Sequence, residues 1–132
     1  MSEREILFRG QTRRKGEKVR ISGEPVDSNW VYGGIFPGEG DFSIIYQAKP
    51  KIEKFTVYSD TVGQFTGLTD KNGLTKIFEY DIIDANGRKV GNYYENSNLL
   101  KDGTCFLVAK MGTKEWSRSE QEAIKRGCKY AE

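Results

Sequence analysis

Thr61-Val62-Gly63-Gln64-Phe65-Thr66-Gly67-Leu68-Thr69-Asp70-Lys71-Asn72-Gly73, followed shortly by Ile77-Phe78-Glu79-Tyr80-Asp81-Ile82-Ile83, is the stretch that decides how this chain folds. Asn72-Gly73 stands between two apolar-rich runs, and a tight hairpin with both central residues at positive φ is the turn that Asn and Gly tolerate best. A second Asn-Gly, at Asn86-Gly87, predicts a hairpin between Tyr80-Asp81-Ile82-Ile83-Asp84 and Arg88-Lys89-Val90. Residues 61 to 90 are therefore expected to form consecutive antiparallel strands.

Outward from that stretch the same pattern continues. Turn formers recur at Gly16, Gly23-Glu24-Pro25, Gly33-Gly34, Pro37-Gly38-Glu39-Gly40, Pro50 and Asp102-Gly103. Between them lie short runs rich in β-branched and aromatic residues: Ile6 to Phe8, Lys18 to Ile21, Trp30 to Tyr32, Phe42 to Tyr46, Phe55 to Tyr58, Ile77 to Asp84 and Cys105 to Ala109. Strands this short, separated by turn signals, indicate a barrel or a sandwich. The expectation is a mainly β, barrel-like single domain over residues 1–132, SH3-like or related, built of hairpins. One short C-terminal helix is expected at about 118 to 126: Ser117 and Glu120 form a capping box, Lys125 and Arg126 suit the helix end, and Gly127 can close it. Trp116, Ala123 and Ile124 would pack it onto the β body.

Composition excludes several functions. A chain of 132 residues suits one domain that folds without disulfides or metals. It contains no histidine, which removes Ser-His-Asp and Cys-His catalysis and every histidine-based metal centre within the chain. Two cysteines cannot supply a typical structural zinc site. Cys105, in the apolar run Cys105-Phe106-Leu107-Val108, reads as a buried thiol and Cys128 as part of a polar tail. No apolar run approaches the roughly 18 residues of a membrane span, and Ser2-Glu3-Arg4-Glu5 does not open a signal peptide, so a cytoplasmic protein without cofactors is expected. Net charge is only +2, but residues 1 to 20 carry seven Lys/Arg against three Glu, and residues 21 to 109 carry eight basic against twelve acidic residues. A basic start joined to an acidic middle points toward an anion-binding or self-associating surface.

Three blocks resemble the YopX-like family of bacteriophage and prophage proteins: Arg4-Glu5-Ile6-Leu7-Phe8-Arg9-Gly10, Trp30-Val31-Tyr32-Gly33, and residues 61 to 83. The likeness spans about residues 4–83, and residues 88–132 are read from their own chemistry alone. Two departures stand out. Tyr80 occupies the place where the family carries Gly between Glu and Asp, and the segment from Gly73 to Ile77 is one residue longer. A Gly that needs positive φ could not become Tyr without strain, so either the backbone here is plain β or the local geometry differs from the family's. The resemblance implies a small, mostly β protein of a mobile element. It carries a context and no mechanism. The positions it marks, without a role, are Trp30, Tyr32, Gly33, Gly63, Gln64, Gly67, Asn72, Gly73, Glu79 and Asp81.

Few constellations offer chemistry. In a continuous strand Glu79 and Asp81 would project from one face, opposite Phe78, Tyr80 and Ile82, about 7 Å apart. Such a pair could hold a divalent cation or do acid and base work, and otherwise forms the solvated side of a strand. Trp30, Tyr32, Phe36, Phe42 and Tyr46 could stack single-stranded bases, but are expected to fill the core. Arg9, Arg13, Arg14, Lys15, Lys18 and Arg20 could contact nucleic acid or another anion. Gly33-Gly34 and Gly38-Glu39-Gly40 fit no phosphate-loop pattern, and Asp70-Lys71-Asn72-Gly73 lacks the later ligands of a calcium loop. The function expected is therefore non-catalytic, through protein interaction or assembly, with a homo-oligomer or another phage or host protein as partner. Nucleic-acid binding is the alternative, and a metal-dependent enzyme using Glu79 and Asp81 is the third reading.

Overall fold

The computed structural model describes residues 6–12, 30–47 and 52–131. The expected strand at Lys18 to Ile21 and the turn formers at 16, 23–25 and 50 lie outside them. The described chain is mainly β, and its strands fall into two compact units, one of residues Ile6–Gln64 and one beginning at Phe65.

In the first unit β1 (Phe8–Gln11), β2 (Trp30–Pro37), β3 (Phe42–Gln47) and the first part of β4 (Glu53–Thr69) pair antiparallel in order, and β1 returns to pair with β4. Four strands thus close into a barrel. Period-2 alternation decides what faces inward: the cross-strand row Ile35, Ile45, Phe55 shares a face with Val31 and Val57, and Val31, Ile45 and Val57 are buried with Phe8 and Val62 packed against them. Val31, Ile45 and Val57 each contribute roughly 1.5 to 3 kcal/mol on leaving water. Gly33 is required where β2 meets β3, since a Cβ there would sit 1.8 Å from the Tyr46 carbonyl oxygen.

The barrel closes through an irregular ladder. Phe8 faces Gln64 and Arg9 faces Gly63, but Gln11 faces Tyr58, so the register shifts between Arg9 and Gln11. Thr61 repairs the interruption: its buried hydroxyl accepts from the Gln11 amide at 2.9 Å and donates to the Tyr58 carbonyl at 2.6 Å. A bulge left without such a partner would bury an unsatisfied amide, which costs about 1 to 3 kcal/mol.

In the second unit the end of β4 pairs with β5 (Lys76–Phe78) on one side and β9 (Lys129–Tyr130) on the other. A separate small sheet places β6 (Asp81–Ile83) between β7 (Lys89–Asn92) and β8 (Phe106–Leu107). A one-turn helix, α1 (Tyr93–Asn96), runs into a 3-10 turn at Ser97–Leu100, and α2 spans Lys114–Lys125. Leu68, Ile77, Ile83, Val108, Ala123 and Cys128 form the core, with Phe106 and Trp116 against them.

Both Asn-Gly sites are turns between antiparallel strands, as expected, but with a different backbone. Only the glycines reach positive φ, Gly73 at 76° and Gly87 at 75°. The reason is an aspartate two residues earlier. Asp70 Oδ1 accepts from the Asn72 amide at 3.1 Å, and Asp84 Oδ1 accepts from the Asn86 and Arg88 amides at 2.9 Å each. Asp70-Lys71-Asn72-Gly73 and Asp84-Ala85-Asn86-Gly87 therefore use one device, an Asx-stabilised turn closed by a left-handed glycine.

The C-terminal helix starts earlier than its sequence signals indicate. Thr113 is the N-cap residue, Ser117 lies inside the helix, and the Ser117 to Glu120 capping box is not formed. The helix end agrees with expectation: Gly127 at φ 111° lets the Cys128 amide donate to the Ala123 carbonyl (2.9 Å) and the Gly127 amide to Ile124 (3.0 Å). Trp116 and Ala123 pack inward, whereas Ile124 is exposed. The cysteines exchange their expected places. Cys128 is buried in the core because that helix end turns back into it, and Cys105 is half-buried.

Candidate functional site

The aromatics expected to fill the core face outward. With Val31, Ile35, Ile45, Phe55 and Val57 inside the barrel, alternation puts Trp30, Tyr32 and Phe36 of β2, Phe42 and Tyr46 of β3, and Tyr58 of β4 on its outer surface. Tyr32, Phe36, Phe42 and Tyr46 are each 39–50% exposed. Phe36 meets Tyr46 edge-on at 4.8 Å between ring centroids, and Phe42 lies 5.1 Å from Tyr58. Trp30, Gln11, Tyr58 and Phe42 form one cross-strand row across β2, β1, β4 and β3, in which Gln11 is buried and Trp30 and Tyr58 are partly buried. The β2–β3 turn sets Glu39 and Asp41 at the Phe42 end of this surface, where the Ser59 amide donates to the Asp41 carbonyl at 2.8 Å and Asp60 follows. Glu39, Asp41 and Asp60 are all exposed.

Arg9, expected in a basic arm, is buried at 2% exposure, its guanidinium carbon 4.7 Å from the centre of the Trp30 ring. The barrel wall takes it because its strand partners are the flat Tyr32 and the bare Gly63. Arg13, Arg14, Lys15, Lys18 and Arg20 lie outside the described residues. Gly63 and Gln64 complete the β1 ladder, and Gly67 of β4 accepts from the Ala131 amide at 2.8 Å. Asn72 and Gly73 belong to the first hairpin turn.

Glu79 and Asp81 do not share a strand face. Phe78 ends β5, Asp81 begins β6, and the turn between them holds Tyr80 at φ 68°, the one non-glycine residue with positive φ among the described residues. Both carboxylates are buried, at 6% and 0% exposure. Glu79 Oε2 accepts from the Met111 amide at 2.8 Å. Asp81 Oδ2 accepts from the Phe78 amide at 2.7 Å and lies 3.1 Å from Lys89 Nζ. The Tyr80 amide donates to the Val108 carbonyl, and the Tyr93 amide donates to the Tyr80 carbonyl, both at 2.8 Å. The turn is a structural knot joining β5, β6, α1 and the segment after β8. Its carboxylates hold backbone amides and a lysine, and no group of three or more cysteine, aspartate or glutamate side chains among the described residues is placed to hold a metal.

The Cys128 thiol is likewise structural. Burial, helped by the Asp70 and Asp84 carboxylates, pushes it up to about 11, so it stays protonated at neutral pH.

Residues 38–90 match the family model described as YopX protein. The match takes in the barrel from the β2–β3 turn onward, both Asx-glycine turns and the knot around Tyr80. The resemblance read from residues 61 to 83 is thereby shown, while the blocks at 4–10 and 30–33 lie outside the matched span. No curated protein and no solved structure matches the chain. Among the described residues no helix is long and apolar enough to cross a membrane.

Sequence reasoning had the aromatic set in hand but on the wrong face. The signal was the alternation Phe42, Ile44, Tyr46 against Ile45: whichever set faces the core, the other does not. Tyr58 and the acidic rim were reachable only through the register.

Proposed function

We propose that this is a non-catalytic binding protein of a phage or prophage, acting through protein interaction or assembly in the cytoplasm, with the outer aromatic face of the barrel as its contact surface. One observation carries the reading: Tyr32, Phe36, Phe42 and Tyr46, on adjoining strands, are each 39–50% exposed. A contiguous exposed apolar patch marks an interaction site, and tyrosine and phenylalanine supply large contact area at low cost in side-chain entropy. The resemblance over residues 38–90 supports the mobile-element context. Against an acid–base or metal-dependent enzyme stand the partners of Glu79 and Asp81, which are engaged in holding the turn.

Nucleic-acid binding keeps one observation in its favour, Lys54 directly across from Tyr46 on the same face. Glu39, Asp41 and Asp60 nevertheless stand exposed at the Phe42 end of the face, and carboxylates beside those rings disfavour phosphate there.

The test is photo-crosslinking from position 36 or 46 in phage-infected or prophage-carrying cells, beside the Phe36→Ser/Tyr46→Ser variant. Both positions point outward, so the double variant is expected to melt like the parent while losing the crosslinked partner. A folded variant that retains the partner sinks the assignment of the face. Binding of labelled single strands to the parent, lost in the variant, would move the reading to nucleic acid.

A further inference from the structure

Resting on that reading of the barrel face, we infer that its acidic end docks a second copy of this chain through the basic segment between β1 and β2. The argument is charge complementarity around an aromatic platform. At the end of the face, Phe42 and Tyr58 lie 5.1 Å apart, with exposed Glu39, Asp41 and Asp60 beside them. Rings flanked by carboxylates suit guanidinium and ammonium groups, which gain from the ring quadrupole and from the nearby negative charge together. A basic partner is what this chemistry selects, and anionic ligands are what it rejects.

The chain itself carries such a partner. Arg13, Arg14, Lys15, Lys18 and Arg20 stand in a stretch with Glu17 as its sole acid. The Phe42 end of the barrel face carries the exposed carboxylates Glu39, Asp41 and Asp60, so this end and the basic segment complement each other between copies. Such contacts steer encounter and fix orientation, while the apolar rings supply the burial. The association is reciprocal: each copy offers one face and one basic segment, as a twofold arrangement demands.

The experiment is sedimentation of the full chain across the micromolar range at low and high salt, with two charge-reversed variants. One variant carries Glu39→Lys and Asp41→Lys, the other Arg13→Glu, Arg14→Glu and Lys15→Glu. The parent should associate reversibly at low salt and weaken at high salt. Either variant alone should associate about tenfold or more weakly, and mixing the two should restore association, because each then meets the opposite charge it lost. Far-ultraviolet circular dichroism and thermal melts establish that both variants fold. A parent that stays monomeric at every concentration overturns the self-docking while leaving the aromatic face open to another partner. Association that ignores both reversals, or a mixture that fails to restore it, overturns it as well. Concentration-independent compaction would place the contact within one copy and also refute the inference.

Discussion

Tyr80 pays for its place with a left-handed backbone that costs a side chain with a Cβ about 1 to 3 kcal/mol. The turn enforces that conformation from both sides, since the Tyr80 amide and carbonyl are each bonded to other segments and the flanking Glu79 and Asp81 side chains hold backbone amides. In return its ring meets Tyr94 edge-on at 6.0 Å, a contact of about 0.5 to 1.5 kcal/mol. Tyr80→Gly is therefore expected to be close to neutral, because relief of strain offsets the lost ring contact. Tyr80→Val, which adds β-branching at the same φ, should lose about 1 to 3 kcal/mol relative to Tyr80→Gly. Urea unfolding of the three proteins measures this, and equal stabilities for Val and Gly would argue against a left-handed residue 80. Cys128 makes a second prediction at this scale. Its raised value means that the fold favours the protonated thiol, so the contribution is complete below the ordinary value of 9.0 and is lost as pH climbs through about 11. The stability difference between the parent and Cys128→Ala should shrink across that window, followed by thermal melts. At neutral pH, alkylating reagents should modify half-buried Cys105 well before buried Cys128.

At the scale of elements, the two Asx-glycine turns share a backbone and differ in surroundings. Nothing lies within 4 Å of a Cβ built on Gly73, whereas one on Gly87 would stand 2.5 Å from the Arg126 carbonyl oxygen. Gly73→Ala should thus cost only the left-handed penalty, about 1 kcal/mol, and Gly73→Val about 1 to 3 kcal/mol. Gly87→Ala must in addition displace the end of α2, and should be clearly the more damaging of the two alanine changes by thermal or urea unfolding. Comparable losses would show that the second turn does not seat against the helix end. These turns also show how far local chemistry reaches. Asn-Gly announced both reversals, yet the turn type followed from Asp70 and Asp84, whose side chains take the Asn72 and Asn86 amides and leave Asn in an ordinary conformation. The helix behaved in the same way. Gly127 ended it as its neighbours indicate, but Ser117 did not begin it, because Trp116 packs against the core and Ser119 Oγ receives the Ala109 amide from one turn further in.

For the whole molecule, the run of short strands, the positions of both hairpin turns, the C-terminal helix end and the family likeness at residues 61 to 83 were all legible in the amino-acid order. Each depends on contacts within a few residues or on a period of two, which sequence carries directly. The sense of each strand face was not legible. Phe42, Ile44 and Tyr46 alternate with Ser43 and Ile45, a pattern that by itself favours turning the rings inward, and only the closing of β1 onto β4 decided that Ile45 looks inward and the rings look out. The fates of Arg9, Glu79, Asp81 and Cys128 were decided in the same way, by partners far along the chain: the Trp30 ring, the Met111 amide, Lys89 and the Gly87 carbonyl. What the sequence determined by itself was therefore the local grammar of strands and turns. Which polar groups became structural and which aromatics became surface was settled by the tertiary fold, because burial is a property of the closed barrel and the packed core, and no single stretch of chain possesses it.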